Sequence, residues 1–345
     1  MFPLLQLPLL CIQEVTDQWE FWDLYNFSIL SKRAKGISKR KKGSNLKVEL
    51  DLSHRSLKIV GGFSFYFHRD RFLDDWKKRG SMDPNVSSFI QETQHFMDVF
   101  NCPFERMDMH LDYYLEDDQL IMMIDWMNGM KTEIKEIVIQ SATWSMLKIF
   151  MNRFKKSIER LFFDKVTYSH QYVISIHKRL NFEIKDLLLS RYSQWIHLDL
   201  FLSMDTERMR VDRSRLSGED LNVFLRSWQE GKTNRKLKYL EMETCWKCDV
   251  KDVLKDCGGE IMDPRTINLK FREHGNRDVW IRGGIHIRRN DGRLAVISSS
   301  GYKYYEEKEE THRRQIQDYE IAQEIWNSEN SPVKWFAKFY FIYIF

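Results

Sequence analysis

The stretch MFPLLQLPLLCIQEVTDQWEFWDLYNFSILSKRAKGISKRKK, Met1–Lys42, decides how the rest of the chain is read. It carries three short amphipathic segments. Pro8 fits the first turn of a helix, where a missing N–H is no loss. Ile12, Val15 and Trp19 follow at helical spacing on one face. A second helix is expected from about Glu20, with Phe21, Leu24, Phe27 and Leu30 as its apolar set. Ser31 is placed to cap a third, basic helix through Ala34 and Ile37. A unit this small cannot bury so many Leu, Phe and Trp side chains, so a covering partner is implied. The plainer alternative is a helical cap on the domain that follows. A secretory signal is not expected: the apolar run Phe2–Ile12 has no basic start, holds two prolines and lacks a small-residue cleavage site before Gln13-Glu14.

These residues also resemble an F-box, the segment by which substrate receptors dock on the S-phase-kinase-associated adaptor of a cullin ubiquitin ligase. The likeness rests on Leu7-Pro8, the Ile12/Val15 spacing, Leu24-x-x-Phe27-Ser28 and Ser31-Lys32-Arg33-Ala34. Two positions depart from the pattern: Leu9 stands where an acidic residue is frequent, and Trp22 where proline is. The resemblance implies an adaptor-binding set of Leu7, Pro8, Leu9, Ile12, Val15, Leu24 and Phe27, some of which must instead pack the helices together.

Beyond this segment the composition is that of a folded protein. The 345 residues allow about two domains, and 43% hydrophobic with 30% charged residues exclude a disordered chain. A net charge of +4 is too balanced to point to nucleic acid or a membrane surface. The cysteines are Cys11, Cys102, Cys245, Cys248 and Cys257. Their odd number and scatter read as free thiols of a reducing compartment, cytoplasm or nucleus. No apolar stretch reaches the roughly 20 residues that span a bilayer.

Gly43-Ser44-Asn45, after the basic run Lys39–Lys42, marks a boundary. A strand is expected from Lys47, a hairpin over Ser56–Phe67 turning at Gly61-Gly62 with Phe63, Phe65 and Phe67 on one face, and a helix over Asp83–Asn101. A rhythm then sets in. Short apolar strands centre near Met109, Val138, Leu161, Leu187, Met209, Leu240 and Leu269, separated by roughly 22 to 31 residues. Helical patterns lie between most of them, clearest in Asp117–Trp126, Trp144–Phe154 and Gly218–Trp228. Ser217 and Asp220 suit the start of the last. The period is near that of leucine-rich repeats, although the regular Leu/Asn ladder is absent and an ordinary α/β domain fits as well. VWIRGGIHIRRNDGRLAVIS, Val279–Ser298, reads as two strands around Asn290-Asp291-Gly292, suited to capping the open end of a stack. Tyr304–Asn327 reads as an exposed charged helix. The tail Trp335–Phe345 is either a strand added to a sheet or a segment without a stable place.

This half carries a second resemblance, to the F-box-associated (type 2) domain of the expanded nematode F-box proteins. It rests on Ser217-Gly-Glu-Asp-Leu-Asn with Phe224-Leu-x-x-Trp228, Asn234-Arg-Lys-Leu-Lys-Tyr-Leu-Glu-Met, Arg265-Thr266 and Gly283–Gly292, and is strongest over residues 200–298. Together the resemblances imply a substrate receptor of an SCF-type ligase. Residues 1–43 would dock, 44–300 would hold a target protein, and 301–345 would form a charged helix and apolar tail.

The expected fold is therefore α+β: a small N-terminal three-helix segment, then an irregular leucine-rich-repeat-like β/α domain ending in a β-hairpin. Chemistry is sparse. Cys245-Trp-Lys-Cys248 is a lone CxxC; Cys257 and His274 would have to complete a zinc site at no recognised spacing. The thiols are better explained as neighbours of a strand-to-helix turn. The basic run from Lys32 lacks interleaved aromatics, so nucleic acid is disfavoured and a solvated face favoured. No HExxH, GxSxG or phosphate-binding glycine loop occurs. Neither catalysis nor a cofactor is expected. The competing reading is a stand-alone repeat scaffold for protein or RNA.

Overall fold

The computed structural model describes residues 4–39, 47–51, 56–60, 65–67, 86–111, 116–167, 179–273, 275, 277–328 and 332–345. The expected turn at Gly61-Gly62, Phe63, the Asp83-Pro84 helix start, the Gly43-Ser44-Asn45 boundary and His274 lie outside them. The chain divides into two units, Met1–Gln140 with Arg153–Lys156, and Ser141–Asn152 with Ser157–Phe345.

The first unit begins with α1 (Leu9–Asp17), α2 (Phe21–Leu30) and α3 (Lys32–Ser38). As the spacing predicts, the three segments are helical and the Ser31 side chain accepts the Ala34 N–H at 3.1 Å. Strands β1 (Lys47–Asp51), β2 (Ser56–Val60) and β3 (Phe65–Phe67) follow, then α4 (Val86–Phe100), β4 (Phe104–Leu111), α5 (Asp117–Gly129) and β5 (Ile134–Thr143). Strand order in this unit is β5-β4-β1-β2-β3. β1 lies parallel to β4 and antiparallel to β2, which pairs β3 with Ile59 opposite Phe65 and Leu57 opposite Phe67. β4 buries Phe104 and then alternates, burying Met107, Met109 and Leu111, the signature of a half-buried strand. The side chains of Leu120, Met123, Ile124 and Met127 give α5 one buried face.

The second unit holds α6 (Trp144–Arg153, its last residue assigned to the first unit), β6 (Ile158–Thr167), β7 (Ile184–Ser190), α7 (Leu198–Ser203), β8 (Arg208–Ser214), α8 (Gly218–Gln229) and β9 (Tyr239–Asp249). β6, β7, β8 and β9 are successive neighbours, each parallel to the last. The strands follow the expected rhythm as far as Leu240, with helices between β7 and β8 and between β8 and β9; residues 168–178, between β6 and β7, lie outside the described residues. Ser217 and Asp220 form a reciprocal capping box at the start of α8, with Asp220 N–H to Ser217 Oγ at 3.1 Å. Leu221, Phe224, Leu225 and Trp228 bury its inner face, Phe224 meeting Phe201 of α7 edge-on at 5.0 Å.

The remainder differs from expectation in three respects, and the alternative left open for the tail is decided. After α9 (Val250–Val253) and β10 (Glu260–Met262), the Leu269 strand, β11 (Asn268–Arg272), does not continue the stack. Among the described residues it pairs only with β12 (Asp278–Arg282), as a separate antiparallel ribbon. Val279–Ser298 accordingly holds more than a hairpin: β12 leads into β13 (Gly284–Arg288), and only β13 and β14 (Leu294–Ser298) turn around Asn290–Gly292. Gly283 makes the break, since its φ is +62° and a Cβ there would meet Met262 O at 2.8 Å. The charged helix, α10, spans Arg313–Asn327 only; Tyr304 instead makes a bridge to Trp280 and is buried. The apolar tail takes the first of its two alternatives: it is β15 (Phe336–Ile344), inserted antiparallel between β9 and β14.

The order in the second unit is thus β10-β13-β14-β15-β9-β8-β7-β6. The hairpin reaches the parallel strands only through β15. Apolar character on both faces of the tail suits a central strand: Ala337, Tyr340, Ile342, Tyr343 and Ile344 are buried. The β11–β12 ribbon packs on this region, with Phe271, Val279 and Ile281 against Val296 and Tyr343. Tyr239, Phe271 and Tyr343 have ring centroids 5.1–6.0 Å apart.

Candidate docking site

The three N-terminal helices have a small core of their own. Ile12, Phe27, Ala34 and Ile37 cluster, with Leu4, Leu5, Leu7 and Trp19 packed at its margin. Trp19 meets Phe27 edge-on at 5.2 Å, and buried Ser38 donates to Leu24 O at 3.0 Å, tying α3 to α2. Pro8 stands at the N-cap of α1 and its carbonyl accepts the Ile12 N–H at 3.1 Å.

α2 and α3 rest on α4. Phe21 meets Phe100 edge-on at 5.4 Å, and Tyr25 faces both His95 and Phe96. Ser28 Oγ donates to Tyr25 O at 2.6 Å and lies 2.8 Å from His95 Nε2. Lys35 and Lys39 hold Asp98 at 2.6 and 2.7 Å. Their hydrogen bonds keep the Asp98 carboxyl below the usual carboxylate range. Burial, and next the Lys35 charge, push His95 below its ordinary value, partly opposed by Asp98.

The seven residues singled out by the first resemblance separate into two groups. Ile12, Leu24 and Phe27 are internal, at 6% exposure or less. Leu7 is half-buried, while Pro8, Leu9 and Val15 are exposed. Two leucines outside that set are the most open of all, Leu10 at 75% and Leu30 at 71%, with Ile29 also exposed. Periodicity had put Val15 with Ile12, and Leu30 with Leu24 and Phe27. At the ends of helices nine and ten residues long, such positions pass beyond the few neighbours available to cover them.

Most motif residues of the second unit serve its framework. Asn234, at φ +49°, donates through Nδ2 to Phe201 O and Met204 O, closing the loop before β9. Trp228 is 1% exposed beneath the Arg289 guanidinium, 5.9 Å away. Gln229 Nε2 donates to Cys257 O and Arg288 O, and Arg265 grips Asp263. Cys245 and Cys248 sit at the end of β9, ahead of α9, and are free thiols, as are Cys11, Cys102 and Cys257. Burial raises the Cys248 thiol and pushes Cys102 and Cys257 up to about 11, so none of these three is a ready nucleophile. Among the described residues no group of three or more His, Cys, Asp or Glu could hold a metal ion. No helix among them is long and apolar enough to cross a membrane.

A family model described as F-box associated matches residues 169–242. That span runs from before β7 into the first residues of β9, and so covers the parallel strands β7 and β8 with α7 and α8. No curated protein matches the chain, and no solved structure does.

Proposed function

We propose that this chain is a non-enzymatic substrate receptor of a cullin-type (SCF) ubiquitin ligase. Residues 1–43 are its docking segment, binding the S-phase-kinase-associated adaptor. The leucine-rich-repeat-like β/α region within 44–300 holds a target protein, and residues 301–345 complete that region's sheet with β15. Ubiquitin transfer belongs to other subunits; the receptor contributes proximity, which requires only that the target be held in a rigid frame.

The observation that carries this reading is the division of the N-terminal apolar residues. A helical cap would turn its leucines inward. Here the three helices have a core and a seat on α4, and Leu9, Leu10, Val15, Ile29 and Leu30 still face solvent. Such apolar exposure in a short segment fits a protein-binding surface. The family match at residues 169–242 supports the recognition half of the proposal.

The test is co-purification of the full chain with the S-phase-kinase-associated adaptor, beside a Leu9→Glu/Leu10→Glu variant. Capture of the parent and loss of the variant, with unchanged circular dichroism, is the expected result. A folded parent that does not bind the adaptor defeats the proposal.

A further inference from the structure

Four non-glycine residues among those described have positive φ: Asn101, Arg213, Asn234 and Asp256. Asn and Asp tolerate the left-handed region because their short side chains bond locally; arginine has no such excuse. Arg213, at φ +55°, lies near the end of β8, where the register with β9 shifts between Val211 and Ser214. A second irregularity lies one strand further. β9 and β15 slip between Ala337 and Phe339, where Thr244 Oγ1 sits 2.6 Å from Trp246 O and 3.1 Å from Lys338 O. Bulges of this kind re-aim side chains, and Trp246 stands 63% exposed.

The two bulges meet at one end of the parallel strands. Cys245 Sγ is 3.3 Å from Arg213 O, and Gln194 Nε2, from the loop after β7, approaches Cys245 Sγ at 3.9 Å. From the same loop, Tyr192 lies under the Arg213 guanidinium at 4.9 Å and is itself exposed. These are the carboxyl ends of β7, β8 and β9, the edge at which open α/β sheets bind their ligands.

The charge here is unbalanced in a way the neighbouring strands are not. Arg191 pairs with Asp164, Arg208 with Asp186, Arg210 with Glu241 and Lys338 with Glu243. Arg213, Arg215 and Lys247 are exposed and have no ion pair with any described residue. Three unpaired cations beside two open aromatic rings suit a short carboxylate-bearing segment. The paired surroundings and a net charge of +4 supply no broad field for a nucleic-acid backbone.

We propose that the carboxyl ends of β7, β8 and β9 are the target-receiving face, and that it takes an acidic peptide segment of the target protein. Arg213 and its neighbours neutralise the carboxylates, while Trp246 and Tyr192 supply apolar contact. This rests on the receptor reading above and names the partner class for it.

The test uses the full chain and a fluorescein-labelled random copolymer of Glu and Tyr, read by anisotropy, with labelled oligouridylate as comparator. Arg213→Gly removes the side chain and leaves a residue suited to that backbone; Trp246→Ala removes the ring; Arg313→Ala, an exposed charge on α10, is the control. The expected result is copolymer binding that weakens at least about tenfold in the first two variants, weakens with salt, and is unchanged in the control. Failure of the parent to bind, equal binding by all variants, or tighter binding of oligouridylate overturns the proposal. Adaptor co-purification, measured on the same proteins, separates the two readings. Loss of the adaptor with copolymer binding intact leaves an acidic-segment face but removes its ligase role. Retention of the adaptor with no copolymer binding removes the face alone.

Discussion

Ile12 and Leu10 lie two residues apart on α1, yet they answer to different forces, and paired substitutions separate them. Ile12 is fully buried among Phe27, Ala34 and Ile37. Replacing it by alanine loses the transfer free energy of the removed carbons and leaves a cavity, costing about 2–5 kcal/mol. Leu10 is 75% exposed, so Leu10→Ala should change stability by no more than about 0.5 kcal/mol. Under the docking proposal the order reverses for binding. Covering a leucine is worth about 1.5–3 kcal/mol, hence roughly tenfold to a hundredfold in affinity for the adaptor when Leu10 is truncated. Ile12→Ala should reduce binding only by the fraction of molecules whose N-terminal helices have opened. Hydrogen exchange of peptides from residues 4–39 reads the first quantity, and titration with the adaptor reads the second. Equal protection in Ile12→Ala and parent refutes the packing argument. Full-affinity binding by Leu10→Ala refutes the assignment of this surface.

Three further outcomes follow from the geometry. His95 is held below its ordinary pKa, so its contribution is present above about pH 6.5 and is lost as pH falls through its lowered value. Asp98 behaves likewise from about pH 3.9 downward, and its half-exposed lysine partners keep that second effect small. Protection factors of α2 and α3 amides, taken relative to the intrinsic exchange rate at each pH, should therefore fall in two steps on acidification, the first abolished by His95→Gln and the second by Asp98→Asn. Tyr343→Ala, which empties a site between Tyr239 and Phe271, should cost about 3–5 kcal/mol by urea unfolding; a loss under about 1 kcal/mol would show that β15 is dispensable. Iodoacetamide should modify exposed Cys11 far faster than Cys102, Cys248 and Cys257, and bound adaptor should protect Cys11, as mass spectrometry of the labelled chain can verify.

Much of the architecture was legible because it rests on local pattern. Ser217 with Asp220 announced the start of α8, and the apolar centres from Met109 to Leu240 each became a strand. Leu269 failed because a period says nothing about which edge a strand joins; Gly283, held at positive φ against Met262 O, turns the chain and leaves β11 to pair with β12 alone. β15 was undecided for a related reason. An apolar run of its length is equally compatible with a central strand and with no place, and its partners Tyr239 and Ala295 are remote in sequence. In the N-terminal helices, helical spacing grouped Leu30 with Leu24 and Phe27 but could not know that the helix outruns its covering. The Arg213 conformation left no mark in residue type, and the side chains gathered at that end of the strands, Tyr192, Arg213, Arg215, Trp246 and Lys247, come from three separate stretches of the sequence.

The insertion of β15 also sets a schedule. Lys338 pairs with Glu243, 95 residues earlier in the chain. At a synthesis rate of about 5–20 residues per second, β9 emerges about 5–20 s before the strand that completes it. During that interval its free edge presents open N–H and C=O groups beside β8, a template for any extended segment nearby. β14, which ultimately lies one strand away, is made before β15 and can compete for the same edge. A newborn chain must therefore hold that position open, or release a premature pairing, until β15 arrives. Slowing or halting translation between residues 298 and 336 should favour the misregistered form, making abundance of the folded protein depend on the tempo of its synthesis.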